Sequence, residues 1–294
     1  MSMIILSLMT ILGQIGPFST PMKDEAENPV VSMDVRSCTP SACMGQYVMV
    51  ACTLSIPDGW RIYWKNPGAS GVPTTIEVQG PDGLIVDPVR YPRPRIFGDG
   101  ADTTYGYEGQ ATLLIPVRVP DIVPEGMTTL DLVVSADWFL CRERCLIGSG
   151  TKSIQIPLGS EREPLESWVA PLLGQFSWPK QLSSRPRTTA TYEDERLVIT
   201  GPPTKAGRIG FLPDPTPGVE LGEPVVDVRE DAFSVTIPVR YNASDSLGVE
   251  PHANGLLTFG DEATMTSYRV SVPLSNPDGS EESPREEDIE ETRP

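Results

Sequence analysis

Apolar and polar residues alternate with a period of two along most of this chain, and a period near 3.6 shows only once. Residues 47–56 set Val48, Val50, Cys52, Leu54 and Ile56 on one face of an extended segment. Pro57-Asp58-Gly59 reads as a turn. Residues 60–64 follow as a short strand of aromatic bulk suited to a sandwich core, and Lys65-Asn66-Pro67-Gly68 is expected to break it. Residues 74–78 and 84–86 are further strand candidates. Tyr91-Pro92-Arg93-Pro94-Arg95 is unsuited to a central strand, because proline brings no ladder donor. A loop rich in glycine and aspartate spans 98–104 and runs into Tyr105-Gly106-Tyr107-Glu108-Gly109. Residues 111–119 and 129–136 alternate like antiparallel strands, 138–140 leads into a pair of cysteines, and 151–158 closes the unit. Many short strands with turn signals between them predict an all-β fold, with an immunoglobulin-like β-sandwich over residues 23–160.

The helical period falls in residues 164–176, where Leu165, Trp168, Val169, Leu172, Leu173 and Phe176 share one stripe. It predicts one short amphipathic helix in a linker over 161–178, packed on a domain or between two. Strand candidates resume at 188–192, 196–200, 208–212, 225–228, 233–241, 255–259 and 267–273, enough for a second, smaller β-sandwich over 179–274. From 275 to 294 the chain is rich in proline, serine and acid, too poor in apolar residues to fold, and expected to be disordered. At the other end, residues 3–12 form an apolar run shorter than the roughly 20 residues a spanning helix needs. It suits the core of a secretory signal peptide over 1–22, although no Lys or Arg precedes it and no small-x-small cleavage site follows. An uncleaved N-terminal anchor is the alternative. That N-terminal segment makes an exported or periplasmic protein the expectation, and with no later segment able to cross a membrane, the mature protein is expected to be soluble or tethered only at its N-terminus.

Composition narrows the chemistry. The 294 residues carry a net charge of −17, which repels nucleic acid and anionic lipid and argues against both as partners. The five cysteines suit an oxidising compartment without making a disulfide-dense scaffold. A nucleophile elbow, a phosphate-binding glycine loop and a metal-binding histidine cluster are all missing, and the single histidine is His252. No cofactor is implied.

The candidate chemistry lies in Trp138-Phe139-Leu140-Cys141-Arg142-Glu143-Arg144-Cys145. In a straight strand, residues four apart lie about 13 Å apart at roughly 3.3 Å per residue, whereas a disulfide needs Cα atoms within about 7 Å. Cys141 and Cys145 therefore bond only if the chain bends between them. The three charged residues inside the bend suit an exposed position that another protein's disulfide can reach. Arg142 and Arg144 would favour a thiolate, against Glu143, so a modestly lowered thiol pKa is expected at one cysteine, foremost Cys141. A static disulfide is the competing reading, although so short a loop stabilises by only about 2 kcal/mol. Cys38 and Cys43 flank a turn-like loop and read as a structural disulfide or as two inert thiols. Cys52 reads as a core thiol. A zinc site is disfavoured, because four soft ligands are not at hand.

Gly59-Trp60-Arg61-Ile62-Tyr63-Trp64-Lys65-Asn66-Pro67-Gly68-Ala69-Ser70-Gly71-Val72-Pro73 resembles the hallmark segment of the N-terminal periplasmic domain of the DsbD and ScsB thiol–disulfide reductases. Tyr91-Pro92-Arg93-Pro94, Thr104-Tyr105-Gly106-Tyr107-Glu108-Gly109 and the Trp138–Cys145 run follow in that family's order, so the resemblance covers roughly residues 30 to 160. The second β region is similar to the extended ScsB-like type. The resemblance implies an immunoglobulin-like domain whose Cys141–Cys145 pair takes electrons from a membrane-embedded thiol reductase and hands them to periplasmic thioredoxin-fold proteins. It also implies a cap over the pair, with Tyr105 and Tyr107 as candidate shields; ordinary sandwich packing is the alternative for both. The membrane-spanning and thioredoxin-like portions of longer family members are not in this sequence, so a separate membrane partner is expected. The rival reading from a different class is a non-enzymatic β-sandwich module that binds protein or glycan, its disulfides serving only as staples. Copper handling through thiolates ranks last, for want of ligands.

Overall fold

The structure, a computed structural model, describes residues 29–205, 207–245, 250–260 and 265–274. The predicted signal or anchor segment at 1–22 and the acidic tail at 275–294 lie outside the described residues. Among the described residues, no helix is long and apolar enough to cross a membrane.

The N-terminal half contains β1 (Ser32–Ser37), β2 (Ala42–Cys43), β3 (Tyr47–Ser55), β4 (Ile62–Gly68), β5 (Thr75–Gln79), β6 (Ile85–Val86), β7 (Arg95–Phe97), β8 (Thr104–Tyr107), β9 (Gln110–Arg118), β10 (Thr129–Cys141) and β11 (Cys145–Gly159). They form one sheet in the order β1-β3-β9-β6, a second in the order β2-β11-β10-β5, and a small third, β4-β8-β7. The strand period decides which side chains meet. In the β3–β9 ladder Val50 faces Ile115 and Cys52 faces Leu113, and all four are fully buried. On β10 the even positions Leu130, Leu132, Val134, Ala136, Trp138 and Leu140 are buried. These two inner faces share one core, as aligned sandwich packing requires.

Two local expectations are corrected. Lys65-Asn66-Pro67-Gly68 does not end β4; the strand continues to Gly68 by shifting register against β8 between Tyr63 and Gly68. Gly68 has φ +82°, and a Cβ there would collide with the Thr103 carbonyl, so the irregularity depends on glycine. Second, Thr104 to Tyr107 is not the end of a loop but the central strand of the small sheet, with β7 on its other side.

The linker helix is shorter than its stripe predicts. Only α1 (Val169–Leu173) is helical. The Glu166 N–H donates to the Cys38 carbonyl at 2.9 Å, which holds the preceding chain against the end of β1, and Leu165 stays 52 % exposed. Val169, Leu172 and Phe176 pack on Cys38, Ala51 and Leu114. The stripe therefore covers the outer face of the first sheet.

The C-terminal half contains β12 (Lys180–Gln181), β13 (Thr189–Glu193), β14 (Arg196–Gly201), β15 (Ile209–Pro213), β16 (Val219–Leu221), β17 (Val225–Val228), β18 (Phe233–Tyr241), β19 (His252–Phe259) and β20 (Thr266–Pro273). One sheet runs β12-β20-β19-β15. The other centres on β14 and β18, with β13, β16 and β17 beside them. Their facing residues, among them Leu197, Ile199, Phe233, Ile237 and Leu257, make a second core. Leu212 and Leu256 of this half join the first core. Asn66 Nδ2 donates to the Pro213 carbonyl at 2.9 Å, and Lys65 Nζ pairs with Asp214 Oδ1 at 2.6 Å.

Candidate redox site at the β10–β11 hairpin tip

β10 and β11 pair without interruption from Thr129↔Pro157 to Cys141↔Cys145. At the tip, the Cys141 N–H donates to the Arg61 carbonyl at 2.9 Å and the Arg61 N–H donates to the Cys141 carbonyl at 3.0 Å. The backbone polar groups of Cys141 thus point toward Arg61 and away from β11. That makes Cys141↔Cys145 a non-hydrogen-bonded antiparallel pair, the kind that brings Cα atoms closest. The Cα atoms are 4.1 Å apart and the sulfurs are bonded. The bend required by the spacing is a three-residue hairpin tip, closed by a bond from the Arg142 N–H to the Arg144 carbonyl.

Alternation also fixes the face. Even residues of β10 enter the core, so Asp137, Phe139 and Cys141 lie on the opposite face, with Ser149, Ile147 and Cys145 across from them. The disulfide sits on the outside of the sandwich, yet its two residues differ. Cys141 is 2 % exposed, whereas Cys145 is exposed, as are Arg142, Glu143 and Arg144. Ile147 beside the pair is 83 % exposed.

Tyr105 and Tyr107 are packed inward. Their strand partners are Ile96 and Ile62, and both rings belong to the first core. The Tyr107 hydroxyl donates to the Pro92 carbonyl at 2.9 Å, and Tyr105 meets Trp64 edge-to-face at 6.0 Å. Burial raises the pKa of both phenols, helped by Glu223 near Tyr105 and Tyr91 near Tyr107. β8 turns both rings to the same face as Ile62. The other face of the small sheet carries Phe97, and the Arg61 guanidinium lies 5.0 Å from its ring centroid. Arg61 is the residue at this site that sequence reasoning missed. A lone cation inside the aromatic Gly59–Trp64 run was the available signal.

The expected Cys38–Cys43 bridge is absent; both are thiols. Their surroundings separate them. Cys43 Sγ donates to the Glu161 carbonyl at 2.8 Å, while Cys38 is buried among the residues under α1. Burial pushes the Cys38 thiol up to about 12, and burial together with Asp34 does the same for Cys52. A thiol whose folded pKa lies above the unfolded value of 9.0 gives stability that is complete below that pH and declines as pH climbs toward the folded value. The urea midpoint should therefore fall as pH rises from 9 toward 12. A Cys38→Ala/Cys52→Ala variant should show a shallower fall, the remainder coming from the buried tyrosines. An unchanged slope would reject this assignment. Among the described residues, no group of three or more His, Cys, Asp or Glu is placed to hold a metal ion.

Tandem β-sandwiches with a cystine at an outward hairpin tip define the structural class. Residues 29–155 match the family model "Thiol:disulfide interchange protein DsbD, N-terminal", so this part of the chain is similar to the N-terminal domain of that family. Among solved structures, the N-terminal periplasmic domain of ScsB from Proteus mirabilis aligns with a TM-score of 0.56 at 17 % identity, over 84 % of this chain and 98 % of that one. It shares the tandem fold. The major pilin subunit BcpA of Bacillus cereus aligns at a TM-score of 0.27 and 10 % identity, over 84 % of this chain and 66 % of that one, too little agreement in shape to bear on the fold. No curated protein matches the chain.

Proposed function

We propose that this is an exported thiol–disulfide exchange protein that relays electrons through the Cys141–Cys145 pair. The donor would be a membrane-embedded thiol reductase and the acceptors periplasmic thioredoxin-fold proteins, partners suggested by the DsbD-type domain. The observation that carries the reading is the asymmetry of the cystine, with Cys145 exposed and Cys141 buried. A donor thiolate attacks Cys145 Sγ and forms a mixed disulfide. The Cys141–Cys145 bond breaks, and Cys141 leaves as the thiolate. The donor's second thiolate then attacks its own sulfur in the mixed disulfide, closing the donor's disulfide and releasing Cys145 reduced. In the discharging half, the Cys145 thiolate attacks an acceptor disulfide, and Cys141 resolves the mixed disulfide. Two electrons pass in each half, and no cofactor takes part.

The test is trapping. Cys141→Ser should accumulate a mixed disulfide through Cys145, whereas Cys145→Ser should accumulate far less. If neither variant traps a partner and the pair resists reduction below about −300 mV, the cystine is a static staple and the binding-module reading replaces this one.

Ile147 offers the partner an apolar foothold next to Cys145. Ile147→Glu should slow exchange with a thioredoxin-fold partner about tenfold, the loss of roughly 1.4 kcal/mol of contact, while leaving the thermal midpoint unchanged. Stopped-flow exchange rates read this directly, and equal rates would place the docking surface elsewhere.

A further inference from the structure

Cys141 poses a physical problem. It lies on the outward face of β10 and is nonetheless 2 % exposed, and burial disfavours the thiolate it must become when Cys145 is attacked. Arg61 is its hydrogen-bonded cross-strand neighbour, so the two side chains leave the ladder on the same face. The guanidinium is held there by Phe97, 5.0 Å from its centre. Its Nε–H is buried and has no hydrogen-bond partner. A buried donor left unpaired costs about 1–3 kcal/mol, which calls for an explanation.

We infer that Arg61 is a positioning residue for the exchange reaction, its buried Nε–H reserved for the Cys141 thiolate that exists only after the disulfide opens. This rests on the exchange reading above. When a partner thiolate takes Cys145 Sγ, the bonding electron pair goes to Cys141 Sγ, and Arg61 donates to the new anion. The contact favours the reduced and mixed-disulfide states over the cystine. It therefore raises the reduction potential and speeds attack at Cys145. Other charged groups lie on the elements that meet at the tip. On the hairpin these are Arg142, Glu143, Arg144 and, four residues back on the same face, Asp137. Asp58 lies in the turn before Arg61, and Arg95 lies on β7, paired with Glu108 at 3.0 Å. Beside these, Arg61 is the charged residue across the ladder whose backbone is hydrogen-bonded to Cys141.

The experiment compares full-length wild type, Arg61→Met and Arg61→Lys in redox equilibrium with a bacterial thioredoxin, with thermal midpoints measured alongside. Arg61→Met should shift the equilibrium about tenfold toward the disulfide, equivalent to ~30 mV for this two-electron couple. Arg61→Lys should recover most of that shift. In a Cys145→Ser background, Arg61→Met should also move the pH profile of Cys141 alkylation upward. Should Arg61→Met not fold, Arg61→Gln keeps polar bulk without charge and serves the same comparison. Equal potentials for wild type and the neutral variant overturn the inference, as does an Arg61→Lys shift as large as that of Arg61→Met. A wild-type pair that does not exchange with thioredoxin at all would instead overturn the function proposed above.

Discussion

In the fully reduced protein at about pH 8, iodoacetamide should label Cys145 about 100-fold faster than Cys141, and Cys38 and Cys52 should stay unlabelled until the chain unfolds. The ordering follows from access before reactivity. Cys145 stands exposed at the start of β11. Reaching Cys141 requires the hairpin tip to part from Arg61, breaking two backbone hydrogen bonds and uncovering a residue that is 2 % exposed. A local opening of about 3 kcal/mol corresponds to the 100-fold factor, at 1.4 kcal/mol per decade. A cation at Cys141 makes its sulfur more ionised without making it more reachable, so the two effects separate. Rate should rank the cysteines by exposure, while the pH at half-maximal rate should rank them by charge environment. Cys38 and Cys52 are fully buried, with thiols pushed up to about 12, so they are both inaccessible and protonated. Time-resolved labelling read by peptide mass spectrometry decides the matter. Comparable rates at Cys141 and Cys145 would show that the Arg61 bridge does not hold the reduced tip.

The parts of the fold that were legible in the sequence are those where one face of a strand meets the core and the other meets solvent. β3 and β10 announce themselves by alternation for that reason. β8 does not. Thr104, Tyr105, Gly106 and Tyr107 are all buried, since the strand lies between β4 and β7 with cover on both faces, and the polar half of the pattern is missing. The start of β11 is hidden differently. Gly148 and Gly150 carry no side chain to mark the alternation, and the Trp138 ring lies across them from β10. The cysteine pair was legible, along with its need for a bend, because chain geometry alone excludes an extended cystine at that spacing. The separation of Cys38 from Cys43 was not. Nothing in five intervening bonds of chain tells one thiol to turn beneath α1 and the other toward the Glu161 carbonyl. Arg61 stood out only as a lone cation in an aromatic run, and its role was hidden for the same reason. Its meaning comes from a bridge to a residue eighty positions away in sequence.

Gly148→Val should lower the stability of the first sandwich by about 3 kcal/mol, within the range for losing a buried tryptophan's packing, and drop its thermal midpoint by roughly 6–12 °C. Trp138 and Gly148 face each other across the β10–β11 ladder. A Cβ at position 148 would fall inside the van der Waals envelope of Trp138 Nε1 and 2.8 Å from its Cε2. Backbone pairing on both sides fixes the distance between the strands, so the indole has to leave. It is now 5 % exposed and packed in the main core, so its exit relieves the clash but opens a cavity. Gly150→Ala is the matched comparison. There the new Cβ meets Met33 Sδ and Trp138 Cη2, each at 3.1 Å, and a flexible thioether can give way, so the cost should stay near 1 kcal/mol. The consequence reaches the cystine. Trp138 is three residues before Cys141 on the same strand and is the last large core anchor but one before the tip. With it displaced, the tip should part from Arg61 more often, and dithiothreitol should reduce the cystine of Gly148→Val faster than that of wild type at temperatures where both remain folded. If Gly148→Val keeps its thermal midpoint, the indole does not lie against β11. If the midpoint falls but reduction is no faster, the tip is held by the Arg61 bridge alone, and the core beneath it has no part in guarding Cys141.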